Sequence, residues 1–239
     1  MTLELYTSPT PNGWKVSIMI EELREAGVSL PDLTVHTVDI FHGEHLREGY
    51  EQINPNRKIP ALVHEGHALM ESCAILQYLG ERFPSPLLPL GDEKWEVLPW
   101  VYWQAANVGP AFGNKLSYTR YLTELPDEAR AHPLERFGKE ALRLVGVFSR
   151  QLGDKNYLLG AQPTIADISI YPWFRGYKWS KVDVTSFANV ATWLKRMRAR
   201  PGVDRGLAYG IREGEIDQWS AETKARYARG GAQLAREDE

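Results

Sequence analysis

The 239 residues are 43% hydrophobic and 25% charged, an ordinary globular balance that excludes a disordered chain, a collagen repeat or a coiled-coil rod. The formal net charge is −3, divided as −6 up to Phe83 and +3 beyond it, so neither half has the basic surface of a nucleic-acid binder. The single cysteine, Cys73, excludes an intrachain disulfide, a CxxC redox pair and a cysteine-rich zinc site.

No run approaches the roughly 18 apolar residues of a membrane helix. Met1-Thr2-Leu3-Glu4 has neither the basic nor the apolar region of a signal peptide. A cytoplasmic protein without membrane contact is predicted. A strand is expected over 3–7, then a turn over 8–13, then a helix from Trp14 with Val16, Ile20 and Leu23 on one face and Gly27 as its stop. A second strand is read over 34–40, and the polar stretch 41–56 is expected to hold a short helix. The segments 59–64 and 67–70, joined at Glu65-Gly66, predict a β-hairpin, and Glu71-Ser72 opens another helix. Residues 1–83 thus form a small α/β unit with a right-handed parallel crossover and antiparallel hairpin strands.

The proline-rich stretch within 84–92 marks a linker. From 93 to 239 the pattern is helical, with long segments over 95–112 and 133–152, shorter ones over 165–177 and 190–200, and a charged tail beyond Pro201. Two domains follow, one α/β and one all-α.

Three features of the first domain carry chemistry. Thr10 and Asn12 stand where a strand turns into a helix, and a helix start offers unpaired N–H groups and partial positive charge to an anion such as a thiolate. Plain helix capping explains the same residues. Pro60 after Ile59 can hold a cis peptide beside the hairpin, exposing the Ile59 backbone to an extended ligand; an ordinary trans proline is the alternative. Glu71 can pair with an ammonium group and Ser72 can bind a carboxylate, or the pair only caps its helix.

Together these segments resemble the glutathione transferase family. The segments that resemble its nu-class bacterial enzymes and the related fungal nitrogen-regulator group are 9–15 (PTPNGWK), 54–61 (NPNRKIPA) and 71–75 (ESCAI). The stretch 103–114 is similar to that group's fourth-helix motif, and Thr164 with Asp167 resembles the family's structural capping box. The resemblance implies a thioredoxin-like N-terminal domain, an all-α C-terminal domain, glutathione as cosubstrate and a homodimer. It places Lys58 and Ile59 on the cysteinyl and glycyl parts of glutathione, Glu71 and Ser72 on the γ-glutamyl head, Arg136 near it from the helical domain, and Thr10 and Asn12 near the sulfur. Relatives with a cysteine at the turn attack through the protein; here Thr10 stands there, so the reactive sulfur is expected to be the ligand's.

The implied activity is disulfide reduction or peroxide reduction. Conjugation to electrophiles and a non-enzymatic glutathione-binding regulator are the alternatives. No metal is expected, because the histidine pairs 42/45 and 64/67 lack further converging ligands. His64 and His67 are predicted to be solvated and Cys73 to be buried apolar filler. Trp103 and Trp173 are candidates for the edge of an acceptor pocket.

Overall fold

Strand β1 (Thr2–Thr7) turns Leu3, Leu5 and Thr7 into the core, the period-two burial of a strand covered on one face. In the computed structural model, which describes residues 2–40 and 42–210, β1 is the hub of a four-stranded sheet. It runs parallel to β2 (Asp32–Thr37) and antiparallel to β3 (Ala61–His64), which pairs in turn with β4 (His67–Met70), giving the order β2-β1-β3-β4. The second strand therefore starts two residues earlier than its alternation suggests and stops at Thr37. The stretch after it holds two short 3-10 turns, Glu44–Leu46 and Tyr50–Gln52, rather than a regular helix.

Helix α1 (Pro11–Glu25) connects β1 to β2, and α2 (Ser72–Arg82) follows the hairpin. α1 is not amphipathic. Every residue from Gly13 to Leu23 is buried, including Lys15, Ser17, Glu21 and Glu22, because the helix is wrapped by α2 on one side and by helices of the second half on others.

The helical half begins with α3 (Lys94–Trp103), which passes through a π-helical turn (Gln104–Val108) into α4 (Gly109–Leu116) and a second π turn (Ser117–Tyr121). Then come α5 (Asp127–Leu152), α6 (Ile165–Arg175), α7 (Tyr177–Ser180), α8 (Ala188–Arg198) and α9 (Pro201–Leu207). α5 begins six residues before Pro133, which lies inside it; Asp127 and Glu128 occupy the first turn, where carboxylates complement the helix dipole. The charged tail over 211–239 lies outside the described residues.

Two polar locks fix this half. Thr164 Oγ1 accepts from Ala166 N at 3.3 Å, and Thr164 N donates to Asp167 Oδ2 at 3.1 Å, a capping box on α6. Asp167 is fully buried and also accepts from Leu158 N (2.9 Å) and Trp193 Nε1 (2.8 Å). Burial pushes its carboxyl up, against the pull of these donors.

The second lock docks α9 on α1. A Cβ at Gly206 would lie 2.5 Å from Ile18 Cα, and one at Gly202 would lie 2.7 Å from Glu22 Oε1. Ser17 Oγ donates to Gly206 O at 2.7 Å, and Arg200 Nη2 pairs with Glu22 Oε2 at 2.5 Å.

His64 departs from expectation. Its side chain is 1% exposed, packed near Tyr78 and Phe83, with Nδ1 2.7 Å from Tyr78 Oη. Alternation along β3 puts it on the same face as buried Leu62, and that outweighs its place beside the hairpin turn. His67 is exposed as expected. Among the described residues no helix is long and apolar enough to cross a membrane, and no group of three or more His, Cys, Asp or Glu converges to hold a metal.

Candidate functional site

The turn from β1 to α1 places Thr10 at the N-cap of α1, with extended backbone (φ −128°, ψ 161°) and Pro11 at the first helical position. Thr10 Oγ1 accepts from Gly13 N at 3.2 Å. The turn needs glycine at 13, since a Cβ there would lie 2.1 Å from Ser8 O. Capping uses a lone pair of the Thr10 hydroxyl and leaves its O–H to donate, so capping and anion binding are compatible uses of one group.

Asn12 Oδ1 accepts from Trp173 Nε1 on α6 at 3.2 Å. An indole N–H only donates, so the oxygen of the Asn12 amide must face it and Nδ2 is the free end. Thr10 O–H and Asn12 Nδ2 have no other hydrogen-bond partner among the described residues. The turn thus presents two donors and no thiol.

The loop before β3 is pinned from beneath. Asn54, 2% exposed, donates from Nδ2 to Lys58 O at 2.6 Å, and Tyr50 Oη donates to the same carbonyl at 3.2 Å. Burial pushes the Tyr50 phenol up to about 12, which keeps it protonated as a donor. The peptide between Ile59 and Pro60 is cis, and Pro60 is buried, Ile59 partly buried and the Lys58 side chain exposed.

The start of α2 has the least comfortable backbone of the site. Glu71 is its N-cap at φ +67°, ψ 108°, a region that non-glycine residues avoid at a cost of about 1–3 kcal/mol. Its side chain is exposed and makes no capping bond. Ser72, at the first helical position, is 8% exposed and does not cap either: its Oγ accepts from Lys15 Nζ at 3.2 Å. The pair therefore presents a carboxylate, a hydroxyl and uncapped first-turn N–H groups together, a set suited to a zwitterionic head group.

An apolar cleft adjoins the turn, lined by Pro9, Pro11, Trp14, Phe112, Trp173 and Trp179 among others. Two guanidinium groups stack on its rings, Arg175 over Trp14 at 4.7 Å and Arg120 over Trp179 at 4.5 Å. Trp103 is not part of this lining; it packs edge-on against Trp100 instead. Arg136 is exposed on α5, and no described contact joins it to the other residues of the site.

Residues 5–87 match the family model of the glutathione S-transferase N-terminal domain, and residues 131–218 match that of its C-terminal domain. The chain belongs to the glutathione S-transferase family. Among curated relatives, the transferase is 33% identical over 230 residues to disulfide-bond oxidoreductase YghU of Escherichia coli, covering 90% of this chain and 77% of that protein. Among solved structures, it is similar to a Pseudomonas fluorescens family member with two glutathione bound (TM-score 0.78, 35% identity, 86% of this chain and 92% of that one). It is also similar to a Pseudomonas putida glutathione transferase with one glutathione disulfide bound per subunit (TM-score 0.77, 32% identity, 87% and 91%).

Near the candidate site, Lys15 was not singled out by sequence, and Cys73 makes contacts that the sequence does not show. Lys15, in the helix expected to share an apolar face of Val16, Ile20 and Leu23, is 2% exposed and reaches Gln104 Oε1 at 2.5 Å, 89 positions away. Cys73 is buried in the hydrophobic core as expected, 6% exposed, and its thiol has polar neighbours as well. Its Sγ is 3.8 Å from Lys15 Nζ and donates to Gln104 Oε1 at 3.2 Å. Both residues lie inside the segments that carry the family resemblance, and only the three-dimensional contact gives them a purpose.

Proposed function

We propose that this transferase binds glutathione across the three segments described above and uses the bound thiolate to reduce small disulfides. The γ-glutamyl ammonium pairs with Glu71 and its carboxylate with Ser72 and the start of α2. The Ile59 backbone and Lys58 take the cysteinyl and glycyl parts, and Arg136 approaches from α5. The observation that carries the reading is the turn itself: two oriented donors, Thr10 O–H and Asn12 Nδ2, at a helix start without a cysteine.

A glutathione thiolate attacks one sulfur of the disulfide, forming a mixed disulfide and releasing one thiolate. A second glutathione then attacks the mixed disulfide, giving glutathione disulfide and the other thiolate. The Pseudomonas relatives that hold two glutathione or one glutathione disulfide support this two-thiol route. The aromatic cleft beside the turn favours conjugation to planar electrophiles as the second reading, with peroxide reduction a further use of the same thiolate.

The domain boundary is placed in 84–92, the compartment is taken to be the cytoplasm, and the working form is read as a homodimer. Leu90, Trp95 and Tyr102 expose large side chains at the start of the helical half, which supports pairing with a second copy. Sedimentation equilibrium is expected to give twice the 27.2 kDa chain mass at micromolar concentration, and a monomer mass would refute the dimer.

Glu71→Ala is expected to weaken glutathione binding well over tenfold, since it removes the partner of a charged ammonium. Calorimetry showing equal affinity would remove Glu71 from the site. Turnover measured with a disulfide, a peroxide and an aryl halide, each with glutathione, ranks the activities. No turnover with any of them would favour a glutathione-binding regulator.

A further inference from the structure

Beneath the first turn of α2 lies a buried ammonium group with no ion pair among the described residues. Lys15 is 2% exposed, and its Nζ lies 2.5 Å from Gln104 Oε1, 3.2 Å from Ser72 Oγ and 3.8 Å from Cys73 Sγ. Three protons meet three acceptors, none of them a carboxylate. A charge in such a place is costly unless an opposite charge answers it, and burial accordingly lowers the Lys15 pKa. Glu71 raises it only at a distance.

The hydrogen bonds have a definite sense. An ammonium only donates, so Gln104 must turn its oxygen inward, and its Nε2 is left buried without a partner. Ser72 Oγ must likewise receive the Lys15 proton through a lone pair. Its own O–H has no acceptor among the described residues and is available to a group outside the helix start. Accepting from a cation also strengthens a hydroxyl as a donor.

We propose that Lys15 is a positioning residue for the γ-glutamyl carboxylate: it turns the Ser72 O–H outward and supplies the buried positive charge that the bound carboxylate answers. The inference rests on the reading that glutathione binds at this site. Gln104, on the π turn after α3, holds the ammonium from the helical half, so both halves of the chain set the geometry of one head-group pocket. Cys73 serves as the third acceptor, a role that serine can also fill.

The test compares glutathione with its analogue γ-aminobutyryl-cysteinyl-glycine, which lacks only the α-carboxylate, by calorimetry on the full chain. The native protein is expected to prefer glutathione by about tenfold or more, and Lys15→Met should reduce that preference to about threefold or less while leaving affinity for the analogue nearly unchanged. A merely structural Lys15 would weaken both ligands alike, and that result overturns the inference, as does an undiminished preference. Should Lys15→Met not fold, Gln104→Met keeps the ammonium but releases it from the helical half. The preference must then also fall, and its retention overturns the inference. If the native protein binds both ligands equally, the inference fails alone. If it binds neither, the glutathione reading fails with it.

Discussion

Thr10→Ala is expected to lower disulfide-reductase turnover by about 10- to 100-fold, while Cys73→Ser leaves most of it intact. The expectation follows from where the donors and the thiol are. Thr10 caps α1 with a lone pair and keeps its O–H for the ligand, whereas Cys73 is buried against Lys15 and Gln104. Bringing a thiol from a pKa of about 8.5 to about 7 needs roughly 2 kcal/mol of preferential thiolate stabilisation, within reach of one or two charge-assisted hydrogen bonds and a helix start.

Because the lost donor serves the thiolate more than the thiol, the acid limb of the pH–rate profile should move to higher pH in Thr10→Ala. The substitution also removes a cap, which costs about 1 kcal/mol of stability, so thermal unfolding must be recorded beside the rates. Thr10→Ser restores cap and donor together and should recover most of the activity. Loss of turnover in Cys73→Ser with Thr10→Ala unaffected would instead establish a protein-thiol route.

The sheet of this protein was legible in its sequence because short alternating runs and a Glu65-Gly66 turn are local signals, read to within about two residues except at the end of β2, which stops at Thr37 and not at Ile40. The same is true of the α6 cap, a four-residue pattern with one physical use. Burial of charge was not legible. Lys15, Glu21 and Glu22 look like the outward face of an amphipathic helix, and only neighbours distant in sequence reveal otherwise: Gln104 for Lys15, Arg205 and Tyr209 for Glu21, Arg200 for Glu22. Nor could the π turns at Gln104–Val108 and Ser117–Tyr121 be read, since one added residue per turn hardly alters an apolar pattern. At the candidate site, the orientations of Asn12 and Ser72 were not legible, because they depend on Trp173 and Lys15.

Gly206→Ala should be the most destabilising methyl addition in the described fold outside the turn from β1 to α1. A Cβ there would lie 2.5 Å from Ile18 Cα and 2.6 Å from Ile18 N, and backbone atoms inside a buried helix cannot step aside. α9 would have to withdraw from α1, loosening the Ser17 bond to Gly206 O and the Arg200–Glu22 pair along with it. Overpacking of this kind costs about 3 kcal/mol, which for a chain of this size corresponds to a fall in Tm of about 6–12 °C.

Gly160→Ala is the control, because nothing lies within 4 Å of the position its added methyl would take and its φ is not positive. Its Tm should stay within about 2 °C of the native protein. Equal losses in the two variants, measured by calorimetric unfolding, would show that close helix approach is not what Gly206 provides.

The burial of α1 on every side has a further consequence, for motion. Many two-domain enzymes admit their substrates by hinging, with a cleft opening as one domain swings from the other. Here the helix capped by Thr10 is core to both halves, gripped by α2 from one and by α6 and α9 from the other. A swing would tear open the interior instead of a doorway. Access to the β1–α1 turn is therefore left to the rim of the apolar cleft, where Trp179 and the guanidinium of Arg120 stacked on it can shift as side chains without moving the backbone of α1.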